Sequence, residues 1–99
     1  MKEIIIYQTD NRDYSFMPWE YAEEKFNMND YQEVLYFTYD GELENGDLLN
    51  KIFNDGNNGK LHNQFPDNRF RSLSVSDIVE VDGIKYYIDR FGFKELELI

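Results

Sequence analysis

Three serines and one histidine are the side chains of this sequence that could support nucleophilic catalysis. Ser72, Ser74 and Ser76 alternate with apolar residues, so they would share one face of a strand. A serine nucleophile needs a general base, and His62 is the only histidine in the chain. The Gly-x-Ser-x-Gly turn that exposes a nucleophile is absent. We therefore predict that the serines bond to backbone groups at a strand entry, with Asp77 as a local hydrogen-bond acceptor.

The sequence does not indicate a metal or cofactor site. His62 lies in a polar segment with no Cys or His beside it, so we expect an exposed loop histidine. A calcium loop that started at Asn54 would place Gly56 at the third position and Phe65 where a bidentate Glu is required. Gly-rich phosphate-binding loops are absent, and the many carboxylates single out no catalytic pair. We predict no metal, no cofactor and no enzymatic activity.

Composition restricts the partners that the chain can have. The net charge is −10, which disfavours direct binding to nucleic acid and to anionic membranes. The N-terminal apolar run, Ile4–Ile6, is too short for a signal peptide or a membrane span. The absence of cysteine fits a reducing compartment. We expect a cytoplasmic protein.

The excess negative charge lies in the first part of the chain. Residues 1–58 hold thirteen Asp and Glu against four Lys and Arg, a balance of −9, whereas residues 59–99 hold seven against six, a balance of −1. A surface rich in carboxylates can compete with nucleic acid for a basic groove on another protein. The candidate partner-binding residues of this acidic set are Glu20, Glu23 and Glu24 on one helix flank, and Asp40, Glu42, Glu44 and Asp47 around one turn.

Short elements must position these side chains. Glu3–Thr9 is rich in β-branched residues and predicts a first strand. Glu33–Tyr39 is apolar on both faces, which predicts a strand in the interior of a sheet. Pro18 suits the start of a helix whose apolar stripe is formed by Trp19, Ala22 and Phe26.

The middle of the chain predicts a second helix and a loop. Asp47 is a suitable N-cap for a helix with an apolar stripe at Leu48, Leu49, Ile52 and Phe53. The Asn54–Asn68 segment is polar and contains Gly and Pro, which predicts a mobile loop.

The clearest local signal is a C-terminal β-hairpin. Asp82–Gly83 between two β-rich runs predicts a two-residue type I′ turn. This turn sets the register, with Val81 opposite Ile84, Glu80 opposite Lys85, Val79 opposite Tyr86 and Ile78 opposite Tyr87. Together the elements predict one α+β domain over residues 1–99. It would have a mostly antiparallel sheet of about four to five strands, two short helices and the hairpin.

A family resemblance covers most of the chain. The strings SLSVSDIV (72–79), YYID (86–89) and FGFKEL (91–96) follow one another in the order that is characteristic of the YodL-like domain family. The segments at 39–43, 46–47 and 52–53 are also similar to that family, whereas Arg90 stands where serine is usual. The resemblance implies a small α+β domain of bacterial plasmids, phages and conjugative elements. It implies no catalytic residues.

Two functions are expected from charge and resemblance together. The first is an acidic, non-enzymatic inhibitor that blocks a nucleic-acid-binding bacterial defence protein, such as a CRISPR effector or a restriction enzyme. The second is a binding module for a host cytoskeletal or envelope-growth factor. It would use the aromatic anchors Tyr31, Tyr36, Tyr87 and Phe91 if these are exposed.

Overall fold

One antiparallel five-stranded sheet organises the chain, with the strand order β2-β1-β3-β4-β5. The computed structural model describes residues 1–97. The strands are β1 (Lys2–Thr9), β2 (Tyr31–Tyr39), β3 (Ile78–Val81), β4 (Ile84–Ile88) and β5 (Phe93–Leu96). The helices are α1 (Trp19–Ala22), α2 (Asn45–Asn57) and α3 (Lys60–Gln64), with a short 3₁₀ helix at Met28–Asp30. This architecture confirms the predicted α+β class.

The predicted hairpin is confirmed residue by residue. β3 pairs with β4 in the expected register, with Glu80 opposite Lys85 and Val79 opposite Tyr86. Asp82 and Gly83 have φ values of 48° and 86°, as a type I′ turn requires at both central positions. Lys85 Nζ lies 2.8 Å from Glu80 Oε1, so the expected cross-strand ion pair is formed.

The prediction of an interior β2 is wrong, because β2 lies at one edge of the sheet. The pairing with β1 shifts between Ile6 and Tyr7, so that Ile6 is opposite Leu35 and Tyr7 is opposite Glu33. Val34 is therefore the extra residue of a β-bulge, and it packs against the same core as Leu35. An alternating pattern assigns Val34 to the opposite face, which made both faces of the strand look apolar.

Two hydrophobic clusters lie on opposite faces of the sheet. Alternate residues of β1 and β3 face opposite ways, and those on one face join the apolar stripe of α2 and Leu61 of α3 in the larger cluster. The other face is covered by the segment from Tyr14 to Met28, which includes α1. Within residues 1–97, no helix has the length and apolarity that crossing a membrane requires.

Helix boundaries differ from the expectations around both helices. α1 ends at Ala22, before Phe26 is reached. Glu44, rather than Asp47, is the N-cap residue of α2. The predicted mobile loop is wrong over much of its length, because α2 continues to Asn57 and α3 follows at Lys60–Gln64. The turn between them is made by Gly59, whose φ of 88° is open to glycine without strain.

Gly56 allows α2 to continue across residues that look like a loop. A Cβ on Gly56 would lie 2.6 Å from Cγ of the buried Leu73, so the helix contacts the 71–77 segment at this glycine. Gly46 lies in the same helix, and a Cβ added there would meet no atom within 4 Å. Substitution of Gly56 therefore tests close packing, whereas substitution of Gly46 tests helix propensity alone.

We expect Gly56→Ala to lower the free energy of unfolding and Gly46→Ala to raise it. Alanine in an open helical position gains about 0.5–1 kcal/mol over glycine. At Gly56 this gain is outweighed by overpacking against Leu73, which costs about 1–3 kcal/mol. Urea unfolding of both variants measures the difference. Stabilisation by both substitutions would show that Leu73 moves aside freely.

Candidate functional site

The first acidic cluster lies at α1. Glu20 is in the helix, whereas Glu23 is its C-cap and Glu24 follows in a turn, because the helix is shorter than predicted. All three carboxylates are exposed. They therefore project to solvent around the end of α1 rather than along one flank of a longer helix.

The second acidic cluster lies between β2 and α2. Asp40, Glu42, Glu44 and Asp47 are exposed. Asp47 is in the first turn of α2, where a carboxylate interacts favourably with the partial positive charge of the helix N-terminus.

The two acidic clusters flank opposite faces of the sheet. α1 packs on the face of the smaller hydrophobic cluster, whereas α2 packs on the face of the larger one. The ion pairs among residues 1–97 are Lys51–Asp55, Arg71–Asp77 and Lys85–Glu80, and none includes a residue of either cluster. The sequence-predicted acidic set thus forms two separate regions whose carboxylates are in no ion pair within residues 1–97.

Two of the four predicted aromatic anchors are core residues. Tyr87 is fully buried and Tyr31 is 8% exposed, so neither is available to a partner. Burial raises the pKa of both phenols, because it disfavours the phenolate. The Tyr31 hydroxyl donates to the carbonyl oxygen of Ser76, and the Tyr87 hydroxyl donates to that of Met17. These two tyrosines therefore do not meet the condition of exposure on which their role as anchors was predicted.

The other two predicted aromatic anchors are exposed at opposite edges of the sheet. Tyr36 is 49% exposed on the edge strand β2, and its hydroxyl donates to Glu3 Oε1 at 3.1 Å. Phe91 is 89% exposed in the turn between β4 and β5.

One shallow cavity brings the two predicted sets together. Glu20 of the acidic set and Phe91 of the aromatic set both line a cavity of about 240 Å³. Pro18, Asp89 and Arg90 complete its lining. Asp89 Oδ1 accepts hydrogen bonds from the backbone N–H groups of Trp19 and Arg90, at 3.1 and 2.8 Å, which ties α1 to the β4–β5 turn.

Sequence reasoning missed three exposed apolar residues, Phe16, Met17 and Tyr21, which lie within two residues of the cavity-lining Pro18 and Glu20 in the chain. The sequence pattern indicated exposure only for Tyr21, because this residue falls outside the apolar stripe of Trp19 and Ala22. The backbone of Phe16 has a φ of 67°, in the left-handed region. Its N–H group donates to Ser76 Oγ at 2.8 Å, sixty residues further along the chain.

The 71–77 segment is an irregular stretch with a turn at its end, and it is not a strand. The predicted serine face is not formed, since the strand begins only at Ile78. The buried Ser76, with a φ of 86°, accepts the Phe16 N–H, so a serine does satisfy a backbone group as predicted.

Asp77 is the acceptor at the centre of this turn, as predicted. Its Oδ2 accepts hydrogen bonds from Gln8 Nε2, Ser74 N and Arg71 NH1 at 3.0–3.1 Å. Arg71 NH1 also lies 3.1 Å from Oδ1, but no hydrogen bond reaches that oxygen from the described residues. Arg71 donates further to the carbonyl oxygen of Thr9. These hydrogen bonds of Asp77 and Arg71 join the end of β1 to the turn that precedes β3.

His62 is a helical and partly buried residue, which contradicts the expected exposed loop position. It lies in α3, its ring stacks on Phe70 with centroids 4.1 Å apart, and Nε2 is 3.0 Å from the Phe70 carbonyl oxygen. Across residues 1–97, no group of three or more His, Cys, Asp and Glu side chains is arranged to hold a metal ion.

Comparison with known proteins gives one match. The model of the YodL-like domain matches residues 3–98, which is nearly the whole chain. A search of curated proteins and a search of solved structures each gave no match. The matched residues include both acidic clusters, the cavity at α1 and the 71–77 turn. Because the match covers nearly the whole chain, the chain belongs to the YodL-like domain family.

Proposed function

We propose that this protein is a non-enzymatic acidic inhibitor of a mobile genetic element that blocks a nucleic-acid-binding bacterial defence protein. The observation that carries the proposal is the set of seven exposed carboxylates at α1 and between β2 and α2. None of them is in an ion pair within residues 1–97. Their charge is available to a basic partner in the cytoplasm.

The proposed mechanism is competition for a basic groove. DNA presents one negative charge about every 1.7 Å of its axis, and a protein that binds it has a surface of complementary positive charge. Carboxylates that project from a rigid fold can occupy that surface and exclude nucleic acid without a chemical step. A CRISPR effector or a restriction enzyme has such a groove, and the resemblance to proteins of mobile elements supports this class of partner.

The proposal predicts that charge neutralisation abolishes inhibition while the fold is kept. The partner is first isolated by a pull-down from the native bacterium with elution in a salt gradient. With Asp40→Asn, Glu42→Gln, Glu44→Gln and Asp47→Asn combined, we expect affinity for the purified partner to fall at least about tenfold at low salt. The loss should diminish at high salt, since screening removes the contribution of the same charges.

A control variant with the same change in net charge separates the local cluster from total charge. Asp13→Asn, Glu33→Gln, Asp67→Asn and Glu95→Gln neutralise four exposed carboxylates outside both clusters. Binding and inhibition should be nearly unchanged in this control. If the cluster variant also binds and inhibits normally, charge mimicry is not the mechanism.

The exposure of Phe91 and Tyr36 favours a second candidate function. In this alternative the domain binds a host cytoskeletal or envelope-growth factor through aromatic side chains, which concentrate binding energy in interfaces. Phe91→Ala combined with Tyr36→Ala would then abolish binding, whereas neutralisation of the acidic clusters would be tolerated. Tolerance of the Asp40–Asp47 neutralisation therefore distinguishes this function from the first.

A further inference from the structure

An apolar surface is exposed at the end of the molecule formed by α1 and the β4–β5 turn. Phe16, Met17, Tyr21 and Phe91 are between 43% and 89% exposed. The first three lie within six residues of one another around the start of α1, and Phe91 shares a cavity with Pro18 and Glu20. Met17 and Tyr21 directly adjoin the cavity-lining Pro18 and Glu20 in the chain, so large exposed apolar side chains accompany this cavity on a chain with a net charge of −10. Exposed apolar side chains that adjoin one another mark binding sites.

The position of Phe16 on this surface is maintained at an energetic cost. Both Phe16 and Ser76 have positive φ values, 67° and 86°, in a region that side chains other than glycine rarely adopt. One hydrogen bond, from Phe16 N–H to Ser76 Oγ, joins them. The Arg71 guanidinium lies 5.1 Å from the centroid of the exposed Phe16 ring. Strain of this kind is concentrated at binding and catalytic sites, where the surrounding structure enforces it.

The cavity next to these residues has the chemistry of a socket for a cationic side chain. Glu20, Asp89 and Phe91 are among the residues that line it, and carboxylates and aromatic rings are the groups that hold a guanidinium or an ammonium. Within residues 1–97, hydrogen bonds reach only Oδ1 of Asp89, which leaves Oδ2 available. Arg90 also lines the cavity and contributes one positive charge. Glu20 and Asp89 contribute two negative charges, so the cavity can neutralise one further cation and no more.

The charge around the apolar surface defines the occupant. Glu20, Glu23 and Glu24 are exposed beside Tyr21, so the same end of the molecule is apolar and acidic. We propose that this end docks a segment of a protein partner that places one arginine or lysine in the cavity and packs apolar side chains against Phe16, Met17 and Tyr21. This inference rests on the proposed function, because it takes the partner to be a basic protein, and it adds the anchoring contact.

Titration with a defined peptide tests the docking surface. The probe is an 18-residue amphipathic helical peptide with leucines on one face and arginines on the other, added to the full chain and followed by amide chemical shifts. We expect shifts concentrated in residues 16–23 and 89–92. The same peptide with glutamates in place of the arginines should not bind. An arginine-only peptide should bind more weakly and shift both acidic clusters alike.

Matched variants attribute the binding to named side chains. Phe91→Ala and Glu20→Gln should each weaken binding of the leucine–arginine peptide, about tenfold for Phe91, since both apolar contact and the cation–ring contact are lost. Ile84→Ala and Glu33→Gln remove an exposed apolar side chain and an exposed carboxylate elsewhere, and they should leave binding unchanged.

Several outcomes would overturn the docking surface. These are equal shifts at Asp40–Asp47, insensitivity to Phe91→Ala, binding of zwitterionic vesicles in place of the peptide, or self-association through residues 16–21. The proposed function fails separately, when the Asp40–Asp47 variant still inhibits the purified partner. A peptide that binds at 16–23 and 89–92 supports the docking surface whichever way that assay turns out.

Discussion

Replacing Tyr87 with alanine is expected to lower the free energy of unfolding by about 3–5 kcal/mol, which is typical of removing a buried aromatic side chain. Tyr87 is fully buried, and its ring contacts those of Trp19 and Phe26 with centroids 5.0 and 6.3 Å apart. Small domains are stable by only about 5–15 kcal/mol, so much of this variant should be unfolded in mild denaturant. Chemical unfolding followed by near-ultraviolet circular dichroism measures the loss.

Tyr87→Phe is the control for the hydroxyl group. It keeps the ring and removes only the hydrogen bond to the Met17 carbonyl oxygen, so we expect a loss of about 0.5–1.5 kcal/mol. Phe91→Ala, at an exposed position in the next turn, should change stability by less than about 0.5 kcal/mol. A loss of partner binding in Tyr87→Ala therefore reports unfolding. A stable, well-folded Tyr87→Ala protein would contradict the assignment of Tyr87 to the core.

Stability should fall as the pH rises from about 4 to about 6, through the titration of Asp77. Burial raises the pKa of this carboxyl from 3.8 to about 6, and the nearby Arg71 cation only partly opposes the rise. Between these two pKa values the folded protein holds the Asp77 proton and the unfolded chain releases it. The contribution of Asp77 is therefore fully present below pH 4 and is lost as the pH passes 6. The difference is on the order of 3 kcal/mol.

Asp77→Asn removes this titration and isolates it from that of the other carboxylates. The free energy of unfolding of the wild type, relative to the variant, should fall by that amount between pH 4 and pH 7 in urea titrations. Arg71→Gln should move the midpoint to higher pH, because the cation that favours the carboxylate is removed. Parallel pH profiles for the wild type and Asp77→Asn would show that the Asp77 pKa is the same in the folded and unfolded chains.

Several features of the fold were predictable from short stretches of sequence. The hairpin register is a local property, since the Asp82–Gly83 turn and the alternation of apolar residues on both sides select the same pairing. The apolar stripe of α2 has the period of a helix. The role of Asp77 follows from its place among small polar residues that favour local hydrogen bonds.

Other features depended on contacts that no short stretch contains. A bulge at Val34 reassigned one face of β2, and the fit of Gly56 against Leu73 extended α2 into residues with the composition of a loop. Tyr31 and Tyr87 have the residue type of interface anchors, and only the packing of the Tyr14–Met28 segment over the sheet shows that they are buried. The exposure of a side chain depends on the residues packed around it, and those around Tyr31 and Tyr87 include residues distant in the chain.

The same division holds for the candidate site. The amino-acid sequence by itself determined the charge, its concentration in residues 1–58 and the family signature, because these depend on residue identity and order alone. The tertiary structure decided that the two acidic groups lie on opposite faces of the sheet, and that Glu20 meets Phe91 at one cavity. It also decided that the N–H group of the exposed Phe16 donates a hydrogen bond to Ser76 Oγ. The last two arrangements join residues sixty or more positions apart, and the packing of both faces of one sheet brings them together.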